Sequence, residues 1–388
     1  MKIGVISSSL EAGGAQRVCL KMIDALKEAN HEVALITLTK TNWSRVQEML
    51  GAVVKPDEEI VLVKRNFRRF AAYTPLLAAV IMLRIRRKFK FDLLVNSQGD
   101  TLPVKADILY VHYPTFSDFE RLSINLKYSR SLFWRIYITP YKMMHPFFES
   151  YLNSGVLVTN STFSKRAIKK HTGKNSIVIH PPVDVTAFAS VVEGNKRENR
   201  VVTCGRYSPE KNYEYVLEVA KLLQTAEFAV VGSFSGEKSI KYYEKLSSIK
   251  SQKNLANVEL IRALGLKDLL RLYGKAKIYM HAMKNEHFGI SVIEAMAAGL
   301  VPVVYRGGGP WVDILKEKQG YHGFSYKTPD EAANIIKTVL ANEKIRKKIA
   351  ERNIAYAKQF STTLFKEKFS SLIDKTISQQ ANGQDINT

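Results

Sequence analysis

Two glutamates, Glu286 and Glu294, bracket the stretch EHFGISVIE, where a loop gives way to a helix. The helical pattern begins near Ile290, so both carboxylates fall near the positive end of that helix. Free backbone N–H groups at such an end suit an anion. An ionised carboxylate beside them repels phosphate and is better matched to hydroxyl groups. The pair therefore fits a ligand with phosphate at one end and a polyol at the other, which is the form of a nucleotide sugar. A solvated helix face and a glycosidase-type acid pair are the other readings. Val292, Ile293, Met296 and Ala297 leave little room for a broad polar face, and nothing in the sequence fixes the carboxylate separation that glycoside hydrolysis needs.

The remaining candidates stand at the ends of apolar runs. Arg206 and Lys211, in GRYSPEKN, offer a guanidinium fork and a point charge suited to a departing diphosphate, although exposed cations after a strand are also common. His112, in YVHYPTFSD, can give a hydrogen bond to a sugar hydroxyl or a transition-state oxygen, or can be structural. Gly13 and Gly14, in EAGGAQRV, allow a backbone to approach phosphate at a helix start, or simply make a tight turn. Their spacing is not that of the dinucleotide GxGxxG motif. Gly307, Gly308, Gly309 and Pro310 make a second tight approach, either a turn or a wall beside the donor.

The elements that must carry these residues alternate. Short apolar runs at 2–7, 32–38, 60–63, 93–96, 107–111 and 156–159 are interleaved with helical patterns, the first over 15–29. A second series at 201–204, 228–231, 258–261, 278–281 and 301–304 repeats the plan, and a short helix is expected over 311–315. Alternation predicts an α/β protein of two Rossmann-like lobes with parallel sheets, dividing near 181–195. The expected limits are 1–183 for an acceptor-side and membrane-side lobe, 184–360 for a nucleotide-sugar lobe, a closing helix at 361–378 and a flexible tail at 379–388. Ligand is expected at the carboxyl ends of the strands, in a central cleft.

Composition bounds the partners. The 388 residues are 46% hydrophobic, enough for two cores. Lys and Arg number 58 against 36 Asp and Glu, a net charge of +22 that calls for an anionic partner. Residues 1–183 hold 27 basic and 14 acidic residues, net +13, leaving +9 for the rest. Two stretches concentrate the excess. Residues 64–90 contain nine Lys and Arg and no acid around an apolar centre, and 128–148 mix Arg130, Arg135 and Lys142 with aromatic residues. Both fit ordinary core helices or partial burial at an anionic membrane surface. Cys19 and Cys204 sit in apolar patterns, which argues against a disulfide framework or zinc site and for a reducing compartment. Neither a signal peptide nor a transmembrane run is expected. The N-x-S/T matches at Asn42 and Asn160 matter only in a secretory lumen.

Taken together, Glu286-HFGISVI-Glu294, GGAQRV, GRYSPEKN and AAGLVPVV resemble the retaining family-four glycosyltransferases of the two-lobed GT-B fold, over nearly the whole chain. YVHYPTFSD, IHPPVDV, MAAGLVPVV and GGPWVDIL further resemble the eukaryotic enzymes that add α-1,2-mannose to dolichol-linked oligosaccharide in N-glycan assembly. The resemblance implies roles. Glu286 would meet donor-sugar hydroxyls near the anomeric centre, Glu294 the ribose, and Arg206 and Lys211 the diphosphate. Backbone groups of Phe288, Gly289 and Ile290 would meet sugar or phosphate. His112 would lie beside the reacting sugar, and Gly13 and Gly14 near the donor phosphates. The C-terminal helix would cross back to the first lobe. No metal or other cofactor is implied, and no DxD pair follows a strand of the expected cleft.

In contrast to the mannosyltransferases, no N-terminal membrane anchor is expected. Against the broader family the chain has Gln16 where Glu is frequent, and it carries an extra glycine in RGGGP. The expectation is transfer of a hexose, mannose from GDP-mannose, to a lipid-linked saccharide at the cytoplasmic face of a membrane. The alternatives are a soluble enzyme using a UDP- or GDP-sugar to make a free glycan or glycoside, and a nucleic-acid-binding protein, for which no recognition module is present.

Overall fold

The computed structural model describes residues 1–8, 10, 13–51, 53–62, 89–99, 101–114, 139, 150–192, 196–262 and 264–382. The chain forms two compact units, Met1–Pro182 with Thr363–Thr388, and Val183–Thr362.

The first unit contains a sheet of β1 (Lys2–Ser7), β2 (Glu32–Thr37), β3 (Glu58–Val61), β4 (Leu93–Asn96), β5 (Ile108–Val111), β6 (Val156–Thr159) and β7 (Ile177–Val178). Its order is β3-β2-β1-β4-β5-β6-β7, parallel throughout. β1 and β2 each bury five consecutive residues, the near-continuous apolar run of a sheet covered on both faces. Helix α1 (Gly14–Glu28) follows β1 and lays Val18, Cys19, Met22, Ile23 and Leu26 on the core. α2 is Trp43–Leu50, capped by the side chain of Asn42. α3 (Thr162–Thr172) starts on a Ser161 side-chain cap and stops at left-handed Gly173. Asn160, just before that cap, is 4% exposed, so its N-x-S/T match is closed to modification in the folded chain.

The second unit repeats the plan. Its sheet, β8 (Arg200–Arg206), β9 (Glu227–Ser233), β10 (Val258–Arg262), β11 (Ile278–His281), β12 (Val301–Tyr305) and β13 (Phe324–Tyr326), runs β10-β9-β8-β11-β12-β13, again parallel. Its helices are α4 (Val185–Ala189), α5 (Tyr213–Leu222), α6 (Glu237–Gln252), α7 (Leu266–Lys275), α8 (Ile290–Ala297), α9 (Pro329–Ala341) and α10 (Glu343–Ala357). The last helix, α11 (Thr362–Ala381), returns to the first unit. There it buries Phe365, Phe369, Leu372 and Ile373, each contributing roughly 1.5–3 kcal/mol, while Lys366 pairs with Glu28 and Asp24 of α1. The parallel two-unit plan and the returning helix agree with the GT-B expectation.

Several boundaries differ from the sequence pattern for identifiable reasons. β3 begins at Glu58 rather than Ile60, because the Glu59 carboxylate is satisfied inside the unit by Thr41 N at 2.8 Å and Trp43 Nε1 at 3.1 Å. β7 and β13 are too short to show a period. The expected helix at 311–315 is instead a π-turn over Pro310–Ile314, closed by Leu315 N donating to Pro310 O at 2.9 Å. α11 runs through Ala381, beyond the expected 378. The stretches 64–90 and 128–148 lie outside the described residues except for Phe89, Lys90 and Thr139. No described helix is long and apolar enough to cross a membrane.

Candidate active site

In each unit the strand order reverses once, and parallel sheets of this kind take their ligands beyond the carboxyl ends of the two strands that flank the reversal. In the second unit those strands are β8 and β11, paired through Val201–Ile278 and Val202–Tyr279. β8 ends on Arg206 and β11 on His281. A 3-10 turn, Pro209–Lys211, then brings Lys211 back over the strand end, and left-handed Asn212 starts α5. Asn212 Nδ2 donates to Ala282 O at 3.3 Å, tying this turn to the exit of β11. Gly205 leaves room beside this turn, since an added Cβ would stand 2.8 Å from the Tyr213 hydroxyl and 3.3 Å from Lys211 Cε.

Lys211 Nζ reaches Glu286 Oε2 at 2.6 Å, with Met283 Sδ at 3.5 Å. His281 Nε2 stands 3.4 Å from the same oxygen. Both members of the ion pair are withdrawn from water, their side chains 19% and 18% exposed. Burial alone would raise the Glu286 carboxyl, but the Lys211 charge and the imidazole of His281 outweigh it and hold the group well below its ordinary value. Burial lowers His281 in turn, reinforced by Lys211 and opposed by Glu286. The result is a carboxylate that stays ionised beside an imidazole that stays neutral at neutral pH, an acceptor-only group suited to hydroxyls.

The backbone around Glu286 is fixed by glycine. Gly308 has φ +71°, and a Cβ there would run into the backbone oxygen and nitrogen of Glu286. Gly309 N donates to Glu286 O at 2.8 Å. The RGGGP loop therefore lies backbone on backbone against the loop that presents the carboxylate. Gly289, at φ +104°, turns the chain into α8, and a Cβ there would come 2.9 Å from Pro310 Cγ.

The sequence-derived candidates distribute as follows. Lys211 and Glu286 come together. Arg206, from the same strand end, is half exposed and makes only a loose contact with Glu210 at 3.6 Å. The Phe288 ring is buried in the core against Phe360, and Gly289 and Ile290 form the start of α8. Glu294 lies one turn into that helix and is 5% exposed, so it is not a solvated face. In the first unit, the reversal lies between β1 and β4. Gly13 caps α1 without a side-chain bond and Gly14 opens the helix. His112 follows β5, one strand over, with Nε2 3.1 Å from Ser97 O, and its carbonyl accepts from Ser164 Oγ at 2.7 Å. Among the described residues no group of three or more His, Cys, Asp or Glu could hold a metal ion. Sequence reasoning gave His281 no role. Its only signal was a histidine closing an apolar strand five residues before Glu286.

Comparison with known proteins follows the same division. A family model described as Glycosyltransferase Family 4 matches residues 12–187, and one described as Glycosyl transferases group 1 matches residues 184–356. The chain is 27% identical to a Dictyostelium discoideum protein described as GDP-Man:Man(3)GlcNAc(2)-PP-Dol alpha-1,2-mannosyltransferase, over 95% of this chain and 83% of that one. The Homo sapiens protein of the same description is 26% identical over 73% of this chain and 65% of its own. Among solved structures, Anabaena HepE in complex with UDP and glucose is similar at a TM-score of 0.70 and 19% identity, covering 96% of this chain and 99% of that one.

Proposed function

We propose, because this chain is a nucleotide-sugar-dependent glycosyltransferase of the GT-B fold, that it moves a hexose with retention from a UDP- or GDP-sugar to a glycan or glycoside acceptor. The observation that carries the proposal is the Lys211–Glu286 pair at the β8/β11 reversal, a part-buried cation and a part-buried carboxylate at the place where this topology takes a nucleotide. Lys211, with Arg206 at the rim, is assigned to the diphosphate. Glu286 accepts from donor-sugar hydroxyls, Glu294 takes the ribose, and the backbone of Phe288, Gly289 and Ile290 meets phosphate or sugar at the helix start. In the first unit, His112 is assigned to the reacting sugar, and Gly13 and Gly14 to close approach of the donor phosphates.

In the proposed reaction the bond from the anomeric carbon to the phosphate oxygen breaks while the acceptor oxygen bonds to the same face of that carbon. The acceptor proton passes to the departing phosphate oxygen, so no side-chain base is required. Cations fixed in advance around the diphosphate stabilise the charge that develops there. Glu286, held ionised, positions the sugar and supports positive charge at the anomeric carbon.

A narrower form of the proposal, mannose from GDP-mannose to a lipid-linked saccharide, is supported by the shared description of the Dictyostelium and human relatives. Both forms are tested by incubating purified protein with UDP- and GDP-sugars, with soluble glycan acceptors or with membrane lipid extract. Donor consumption with a soluble acceptor favours the broader form, and consumption of GDP-mannose only with lipid extract favours the narrower. If no donor is consumed, and Glu286→Ala leaves donor affinity unchanged, the assignment fails.

A further inference from the structure

His281 is 4% exposed at the last position of β11, and neither of its ring nitrogens completes a hydrogen bond. A buried imidazole whose one polar neighbour stands at 3.4 Å carries a desolvation cost that a long contact repays only in part, so its presence at this point needs a reason. The geometry supplies one. Lys211 Nζ and His281 Nε2 address the same carboxylate oxygen, Glu286 Oε2, at 2.6 and 3.4 Å, and neither contact is to Oε1. A diphosphate would compete with Glu286 for the ammonium of Lys211. It would not compete for His281, which sits inside the strand end.

We propose that His281 is a positioning residue for Glu286: its Nε2–H holds Oε2 while Lys211 serves the diphosphate, leaving Oε1 turned to the donor-sugar hydroxyls. The inference rests on the assignment of Glu286 to those hydroxyls. The charged groups acting on the ring are Glu286 and Lys211, while the Tyr326 phenol donates to the His281 carbonyl at 3.0 Å and fixes the backbone beneath it. Because burial keeps the ring neutral, it gives a hydrogen bond without adding a second cation that would trap the carboxylate.

The test measures kcat/KM for whichever nucleotide sugar the wild-type chain consumes, from pH 4.5 to 8, in His281→Gln, His281→Asn and His281→Leu. A glutamine amide nitrogen reaches where Nε2 stands, and an asparagine amide does not. The expected result is an acid limb displaced upward by about one pH unit, with donor KM raised about tenfold, in His281→Asn and His281→Leu. His281→Gln should keep the wild-type acid limb. Thermal melts of each variant separate this from packing loss, and the Gln/Asn contrast stands even if His281→Leu does not fold. Wild-type protein that neither binds nor consumes a nucleotide sugar overturns the functional proposal and the inference with it. Wild-type turnover with an unmoved acid limb in His281→Asn, or with Gln and Asn equally impaired, overturns the inference alone.

Discussion

The two strand-order reversals are built alike and equipped differently. Among the described residues at the β1/β4 reversal, Ser8 N donates to Gln98 Oε1 at 3.1 Å, Ser97 Oγ to Ile6 O at 2.8 Å, and His112 Nε2 lies 3.1 Å from Ser97 O. The one thiol nearby, Cys19, is pushed up to about 11 by burial and stays protonated. At the β8/β11 reversal, a carboxylate and an ammonium are paired, both only partly exposed to water. The more an ion pair is withdrawn from water, the more it costs to assemble and the more it costs to break by removing one partner. Among the described residues, the contacts at the first reversal are hydrogen bonds, and those at the second include an ion pair. The same strand order fixes where a ligand sits, and the side chains at each strand end fix what it can be.

The largest expected effect tests that contrast directly. Lys211→Ala should lower turnover by about 10²-fold or more at saturating donor if Lys211 meets leaving-group charge as proposed. Stability should change with a defined pH dependence as well. Glu286 is held below its unfolded value, so its contribution is present above the ordinary carboxylate range near pH 4.3 and is lost as pH falls through the folded value. Denaturant melts from pH 7 to 3 should show this fall in the wild type and a flatter profile in Lys211→Ala. Unchanged turnover would mean that the paired charge of the second unit is structural, and the two reversals would differ in stability alone.

Gly308→Ala comes next. The position combines φ +71° with a Cβ site closed by the Glu286 backbone, and neither can relax by turning a side chain. The variant should lose about 2 kcal/mol or more of stability by denaturant melt, and donor KM should rise with it as the Glu286 loop shifts. Wild-type stability would show that the RGGGP loop does not clamp the carboxylate.

Much of this was legible in the sequence, and the gaps have physical causes. The alternation of apolar runs gave two parallel sheets, since strands covered on both faces leave an unbroken apolar signature, as in VLVT and IYMH. Lys211 and Glu286 could be chosen because each follows such a run. Their direct pairing could not, because it depends on the 3-10 turn at Pro209–Lys211, beside which Gly205 leaves room. His281 escaped for a related reason: at the end of an apolar strand it looks like one more core residue, and only its distance to Oε2 distinguishes it. The role of the glycine triplet was half visible. A close approach was readable from the sequence, but not that the surface approached is the backbone of Glu286.

The smallest effect on stability belongs to Gly13→Ala, the counterpart of Gly308→Ala at the other reversal. Gly13 has φ 175°, extended backbone that any residue adopts, and among the described residues an added Cβ would meet only the Gln16 side chain, its oxygen at 2.5 Å, on a flexible arm that can turn away. Alanine also narrows the unfolded ensemble, which offsets part of any crowding. The melt should therefore stay within about 0.5 kcal/mol of wild type. If the glycine is there so that the start of α1 can come close to phosphate, donor KM should still rise severalfold, a functional loss without a stability loss. Gly308→Ala should lose both together. A Gly13→Ala chain with both melt and KM at wild-type values would leave this turn no part in donor binding, and would place the phosphate contacts in the second unit alone.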